Sequence, residues 1–270
     1  MEVNPSFGFI APLFVPASRP ERFAKAAASG ADAVILDLED AVPPDEKISA
    51  RAALTTDFTD LPVFVRVNAQ GSLWHLGDLE AVGRLGAAGI VLPKARRDAF
   101  AAVPETLPVI ALIETAEGLA QAREIASRPG VVRLAFGSLD YAADLGCAHI
   151  RAALLVARNE LVIASRLASH LPPVDGVTEA IDDDDRVTDD ARYARNLGFG
   201  GKLCIHPRQI APTRLGFMPT VAEVAWARRV ATAGDGAVSV DGTMVDGPVR
   251  LRALALLART ARSSSEEEGS

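Results

Sequence analysis

The sequence predicts a (β/α)8 barrel, also called a TIM barrel, with a short C-terminal helical extension. Short apolar runs alternate with amphipathic segments, and eight such runs in about 250 residues match the strand count of this fold. A doubly wound open sheet is the alternative, but it needs a glycine-rich turn after the first strand, and FVPASRPE has no glycine. The eight expected strands are 9–16, 33–38, 63–68, 89–93, 109–114, 132–136, 174–180 and 203–206.

Amphipathic segments between these strands predict the helices of the barrel. They include PERFAKAAASG after the first strand, DLEAVGRLGAAG after the third, AEGLAQAREIASR after the fifth and HIRAALLVARNELVIASRLASH before the seventh. The segment GDGAVSVDGTMVDGPVRLRALALLART reads as a glycine-rich turn region followed by one last helix. We therefore expect the barrel at 1–220, a final helix and extension at 221–262, and a disordered polar tail at 263–270.

The composition describes an acidic globular chain. It has 270 residues, 49% hydrophobic, with a formal net charge of −7. That charge disfavours a nucleic-acid partner, because phosphate binding needs a basic face. No segment approaches the roughly 20 uninterrupted apolar residues of a membrane span, and the N-terminus lacks a signal-peptide pattern. Cys147 and Cys204 fit no metal or redox spacing, so we expect a cytoplasmic protein without a membrane partner.

Polar residues follow one expected strand after another, at the rim where barrel enzymes carry their reactive groups. Arg66 and Glu114 lie inside or directly after apolar strands, where an unpaired charge would be costly. By strand alternation, Asp37 and Glu39 share one face and Asp40 takes the other, so the three carboxylates need not meet at one point. The candidates, in chain order, are Arg19, Asp37, Glu39, Asp40, Arg66, Glu114 and Asp140.

Two carboxylates from neighbouring strand ends, Glu114 and Asp140, predict a metal site with oxygen ligands. Mg²⁺ favours such a site, since it binds one or two carboxylates and keeps water or substrate at its other positions. The four histidines are scattered, with no two at i, i+4 spacing, which disfavours zinc. An arginine facing the metal would clamp a small carboxylate or an enolate, and Arg66 is the candidate.

Taken in order, several segments resemble the citrate lyase beta-subunit group of the HpcH/HpaI aldolase superfamily. The resemblance implies a (β/α)8 barrel, a Mg²⁺ ion bound by Glu114 and Asp140, and a homo-oligomer, often a trimer. It also implies that Arg66 binds the keto-acid portion of a coenzyme A (CoA) thioester. The segments are FVPASRPERFAKAAASGADAVILDLEDAV, VFVRVN, IVLPKA, LIETAEG, LAFGSLDYAADLG and LGFGGKLCIHPRQI.

The activity implied by this resemblance is a Mg²⁺-dependent carbon–carbon lyase. It would cleave a citryl-CoA, malyl-CoA or citramalyl-CoA type thioester into a 2-oxo acid and acetyl-CoA or a homologue. Arg66 would stabilise charge on the substrate, and Asp37 and Glu39 would orient the arginine or metal-bound water. Glu114 would contact the substrate through the metal, and Arg19 would hold CoA phosphate.

Two alternatives to the lyase stay open. The first is a CoA-independent class II aldolase of the pyruvate type, which uses a histidine after an early strand. The segment LEDAVPP offers no histidine there, which disfavours this reading. The second is a non-catalytic protein that keeps the barrel and the metal and senses a CoA ester or a keto acid.

Overall fold

The computed structural model describes residues 7–233, 238–240 and 242–267. Eight parallel strands form one sheet in the order of the sequence, with helices between them, and the predicted (β/α)8 architecture is confirmed. Backbone hydrogen bonds from Phe14 to Cys204 (2.9 Å) and from Lys202 to Ile10 (2.8 Å) join the last strand to the first. The strands are β1 Leu13–Pro16, β2 Val34–Asp37, β3 Val63–Arg66, β4 Gly89–Leu92, β5 Val109–Ile113, β6 Val131–Phe136, β7 Val174–Asp175 and β8 Gly201–Lys202.

The eighth strand lies two residues earlier than predicted. We expected it at 203–206, but the ladder with β7 uses Gly201 and Lys202. Glycine explains the shift, because a Cβ at Gly201 would stand 2.8 Å from the carbonyl oxygen of Ile10. Only a residue without a side chain lets the two backbones come this close.

Helices cover the outside of the barrel. The connection from β4 to β5 differs, because it holds a short 3₁₀ turn at Arg97–Phe100 in place of an α-helix. Gly86 and Gly198 end α3 and α8 with φ of 70° and 104°, a left-handed cap that glycine adopts without strain. The helices are α1 Phe23–Ala27, α2 Lys47–Ala52, α3 His75–Leu85, α4 Ala116–Ala120, α5 Ala122–Ala126, α6 Ser138–Leu145, α7 Arg151–Leu167, α8 Asp184–Leu197 and α9 Ile210–Phe217.

Side chains fill the inside of the barrel, as alternation along each strand requires. The inner cluster includes Phe9, Phe64 and Leu112. Arg133 is 1% exposed and lies near the amino-terminal end of β6. It donates hydrogen bonds of 2.8 Å to the carbonyl oxygens of Phe7, Phe9 and Pro172. Hydrogen bonds to backbone carbonyl oxygens thus compensate for the burial of the Arg133 guanidinium.

The chain divides into two compact units, Met1–Phe217 and Met218–Ser270. The second unit contains α10 Val221–Thr232, a hairpin of β9 Val238–Val240 and β10 Thr243–Val245, and α11 Gly247–Glu267. Helix α11 takes in residues 263–267 of the expected disordered tail, since no glycine or proline interrupts the chain after Pro248 until Gly269 and glutamate favours helices. The rest of that tail, 268–270, lies outside the described residues. Among the helices described, none has the length and apolar character of a membrane span.

Candidate active site at the barrel rim

A cavity of about 370 Å³ opens at the carboxyl ends of the barrel strands. Arg66 from β3, Glu114 after β5 and Asp140 in the first turn of α6 all line it. The structure therefore brings together three residues that the sequence predicted from separate strand ends. The deeper wall is apolar and includes Leu112 and Leu203.

Arg66 is the centre of the acidic cluster that follows β2. Its Nε and one terminal nitrogen donate to the two carboxylate oxygens of Asp37 at 2.7 and 2.6 Å. The other terminal nitrogen donates to Asp40 at 3.1 Å and lies 3.2 Å from Glu39. The alternation argument, which separated Asp40 from the other two, is therefore wrong. Strand β2 ends at Asp37, and the chain bends immediately afterwards, so strand periodicity no longer applies.

The guanidinium of Arg66 is held in place, but not all of its hydrogen-bond donors are used. Burial lowers its pKa, and the charge and hydrogen bonds of Asp37, helped by Glu39 and Asp40, raise the pKa by more, so the group stays charged. Three of its five N–H groups donate to the two aspartates, which leaves two donors. Because Arg66 also lines the cavity, these donors can meet an anionic ligand.

A buried lysine fixes the loop that carries the acidic cluster. Lys47 Nζ donates to the carbonyl oxygens of Leu38 (2.7 Å) and Glu39 (2.6 Å) and to Asn68 Oδ1 (2.7 Å). Burial lowers the pKa of Lys47, and the neighbouring charges of Asp37 and Glu39 oppose that shift. The lysine thus ties the ends of β2 and β3 together beneath the rim.

Lys94 joins two of the glutamates, a role that the sequence alone did not assign to it. Its backbone N–H donates to Glu114 Oε1 at 2.6 Å, and its Nζ donates to Glu39 Oε1 at 2.9 Å. The φ of Lys94 is 46°, a left-handed conformation that is uncommon outside glycine. Burial lowers the pKa of this lysine, but its hydrogen bond and attraction to Glu39 raise it by more.

Glu114 is the most strongly perturbed acid of the site. Only 1% of the residue is exposed. Burial raises its pKa to about 8, and repulsion from Glu39 and Asp140 adds to that effect. Gly137 leaves room for the carboxylate, because a Cβ there would collide with the Glu114 side chain.

The rim fits a divalent cation bound by oxygen. Burial is the main cause of the raised pKa of Glu114 and repulsion from Glu39 and Asp140 adds to it, so a cation beside these carboxylates would stabilise their charged forms. No described group donates a hydrogen bond to the buried Glu39 Oε2 atom. The described residues contain no cluster of three or more side chains placed to bind a metal, so Glu114 and Asp140 form a sparse pair. Mg²⁺ accepts such a pair because water and substrate complete its coordination.

Arg19 lies outside this cavity. It lines a neighbouring groove with Arg22 and forms an exposed ion pair with Glu21 at 2.7 Å. Pro16 and Ala41 line both the groove and the cavity, so the two adjoin. Assignment of Arg19 to substrate binding, like the roles of Asp37 and Glu39 in catalysis, stays a prediction.

The family model described as HpcH/HpaI aldolase/citrate lyase matches residues 11–207. The chain belongs to this family. It is 40% identical to the citrate lyase subunit beta-like protein of Mycobacterium tuberculosis, over 94% of this chain and 96% of the relative. It is 37% identical to a (3S)-malyl-CoA thioesterase of Cereibacter sphaeroides, over 87% of this chain and 88% of the relative. The resemblance seen in the sequence is thereby confirmed.

A solved structure of a relative contains magnesium and coenzyme A, two groups that the resemblance implied. CitE from Mycobacterium tuberculosis, in complex with magnesium, acetoacetate and coenzyme A, superposes with a TM-score of 0.86. It is 38% identical in sequence, and the match covers 93% of this chain and 98% of that one. The magnesium prediction is confirmed at the level of this relative.

Proposed function

We propose that this protein is a Mg²⁺-dependent carbon–carbon lyase acting on a 3-hydroxy-acid CoA thioester of the citryl-, malyl- or citramalyl-CoA type. The products would be a 2-oxo acid and acetyl-CoA or a homologue. The observation that carries the proposal is the rim cavity, where Arg66, Glu114 and Asp140 meet. Family membership, together with CoA and magnesium in a related structure, supports the choice of substrate.

At the rim, Arg66 would contact the charged groups of the substrate, and the neighbouring carboxylates would hold Arg66 in position. Arg66 would direct its two remaining donors at the carboxylate or the oxygen of the acid portion, where negative charge develops as the carbon–carbon bond breaks. Asp37 holds the guanidinium through two hydrogen bonds and fixes the direction of those donors. Glu39 would steady the same group and Lys94.

Glu114 and Asp140 would hold Mg²⁺, which supplies Lewis-acid polarisation of the substrate oxygens and a template for the acid portion. Lys94 positions Glu114 for this task through its backbone N–H, and Gly137 leaves the space that the carboxylate occupies. The CoA portion would extend past Pro16 and Ala41 into the groove lined by Arg19 and Arg22.

A second candidate function is hydrolysis of the same thioester. The relative named (3S)-malyl-CoA thioesterase favours it, since its sequence matches over most of both chains. Both reactions would use the same cavity for the acid portion. They differ in the bond that breaks, which is carbon–carbon in the lyase and carbon–sulfur in the thioesterase.

The test is an assay with citryl-CoA, malyl-CoA and citramalyl-CoA, each with Mg²⁺. The 2-oxo acid is followed with a coupled dehydrogenase, and free CoA is followed with a thiol reagent. Formation of oxo acid supports the lyase, formation of free thiol supports the thioesterase, and formation of both supports both reactions. Absence of both products would contradict a catalytic role toward these substrates and favour the sensor reading.

A matched pair of variants tests the metal site. Asp140→Ala should abolish tight Mg²⁺ binding in calorimetry, because the pair of carboxylates is reduced to one. Asp57→Ala removes an exposed aspartate in the segment between α2 and β3 and should leave the affinity unchanged. Equal Mg²⁺ affinity in the wild type and in Asp140→Ala would contradict the assignment. We also expect a homotrimer or a larger homo-oligomer, which light scattering coupled to size-exclusion chromatography would measure.

A further inference from the structure

We propose that Ser138, His149 and Glu179 form a catalytic triad that hydrolyses the CoA thioester. The inference rests on the proposed function, because it assumes that a CoA ester occupies the rim cavity. His149 Nε2 lies 3.0 Å from Ser138 Oγ, and His149 Nδ1 lies 3.3 Å from Glu179 Oε2. A serine bonded to a histidine that is oriented by a carboxylate is the arrangement of serine hydrolases.

The carboxylate sets the direction of the hydrogen bond between the histidine and the serine. Glu179 Oε2 lies 3.3 Å from His149 Nδ1, and a carboxylate at that distance favours the tautomer with the proton on Nδ1, which leaves the Nε2 lone pair free to accept the hydroxyl proton of Ser138. In that tautomer His149 is a general base aimed at the serine. The three residues come from separate segments, which follow β6, α6 and β7.

Ser138 occupies the junction at which such enzymes place their nucleophile. Strand β6 ends at Phe136, Gly137 makes the turn, and Ser138 is the first residue of α6. This strand–turn–helix arrangement sets a serine beside the first amide N–H groups of a helix, which have no intrahelical partners and can bind an oxyanion. Ser138 lines the same cavity as Arg66 and Glu114. It is 1% exposed, so an acyl group or a reagent must enter the cavity to reach it.

The surroundings hold the triad in position. A Cβ at Gly176 would collide with the Ser138 side chain, so a glycine is needed there. Gln209 Nε2 donates to the carbonyl oxygens of Thr178 (2.8 Å) and Ala180 (2.9 Å), the residues on either side of Glu179. The loop that presents Glu179 is therefore fixed at both neighbours, although its carboxylate is exposed.

Hydrolysis would proceed in two balanced steps. Ser138 Oγ attacks the thioester carbonyl carbon while its proton passes to His149 Nε2. The carbon–sulfur bond breaks, and CoA leaves as the thiol with the proton from His149. A water molecule then attacks the serine ester, again with His149 as base, and the acid is released as the proton returns to Ser138. One thioester and one water give one carboxylic acid and one thiol.

Covalent labelling tests the nucleophile without any CoA substrate. The full-length protein is treated with a fluorophosphonate probe, and the labelled peptide is identified by mass spectrometry. We expect the label on Ser138 and its loss in His149→Gln, where the base is absent. Ser127→Ala, an exposed serine at the end of α5, is the matched control and should keep full labelling. Absence of label on Ser138 in the folded wild type would overturn the triad, because a purely structural hydrogen bond does not activate a serine.

The product ratio separates failure of the triad from failure of the proposed function. Free thiol and 2-oxo acid are measured in one reaction with malyl-CoA, for the wild type, Ser138→Ala and His149→Gln. We expect the ratio of thiol to oxo acid to fall at least about 100-fold in both variants. An unchanged ratio, or a wild type that forms oxo acid but no thiol, overturns the triad and leaves the lyase standing. Circular dichroism checks that each variant is folded. Because Ser138→Ala and His149→Gln change different residues, the same loss in both would reflect the triad and not one local change.

Discussion

Replacement of Glu114 by glutamine should remove most of the pH dependence of stability that this site causes in the metal-free protein. The wild-type carboxyl is buried. Burial is the larger cause, and repulsion from Glu39 the next, of the rise in its pKa from 4.5 to about 8. Glutamine keeps the shape and can still accept the 2.6 Å hydrogen bond from the Lys94 N–H. It carries no charge at any pH, so it removes both the cost of burying a charge and the repulsion from Glu39.

The sign of this pH dependence of stability follows from the raised pKa of Glu114. The folded protein binds the Glu114 proton more tightly than the unfolded chain does, so protonation stabilises the fold at low pH. That stabilisation is complete below about pH 4.5 and is lost progressively as the pH rises to about 8. At about 1.4 kcal/mol for each pH unit, the loss is at most about 5 kcal/mol. The variant should lack this loss.

The assay is urea unfolding at pH 5, 6, 7 and 8 in the presence of a metal chelator. Subtracting the curve of Glu114→Gln from that of the wild type isolates this carboxyl from the other titrating groups. Glu105→Gln, at an exposed glutamate between β4 and β5, should follow the wild type. Mg²⁺ at about 100 times its Kd should stabilise the wild type by about 2.7 kcal/mol and the variant by much less. Parallel curves for the wild type and Glu114→Gln would refute the reasoning.

Three further variants test the rest of the rim. Arg66→Lys should lower kcat/KM by roughly 10- to 1000-fold, because an ammonium cannot reproduce the planar fork; near wild-type turnover would place the clamp elsewhere. Gly137→Ala should weaken Mg²⁺ binding in calorimetry by at least about tenfold, since its Cβ displaces the Glu114 carboxylate; unchanged affinity would contradict this. Arg19→Ala with Arg22→Ala should raise KM for the thioester and spare binding of the free oxo acid; equal weakening of both ligands would mean that these arginines only support the rim.

The barrel and the centre of its site could be predicted because they depend on local pattern. Apolar runs mark the parallel strands, which are buried on both faces. Charged residues such as Arg66 and Glu114 stand out where those runs end. The topology then requires the strand ends to meet at one rim, so residues far apart in sequence become neighbours.

The remaining features depend on backbone geometry or on contacts between loops. The convergence of Asp40 on Arg66 depends on a bend that strand alternation does not describe. Lys94 contacts Glu39, which lies 55 residues earlier in the chain. Lys94 adopts a left-handed backbone conformation that no local sequence pattern predicts. His149 has no partner near it in sequence that would suggest a base, and its two contacts come from the start of α6 and from the loop after β7.

Closure of the amino-terminal end of the barrel by Arg133 has a consequence for the order of product release. Its contacts with Phe7, Phe9 and Pro172 occupy that end in the described part of the chain, so we expect ligands to enter and leave through the rim cavity. In the proposed binding mode the acid portion would lie deeper than CoA, so the oxo acid would depart only after the acyl-CoA product. In product-inhibition kinetics, added oxo acid should therefore compete with the thioester, whereas added acetyl-CoA should inhibit noncompetitively. The reverse pattern would mean that the oxo acid escapes by another path.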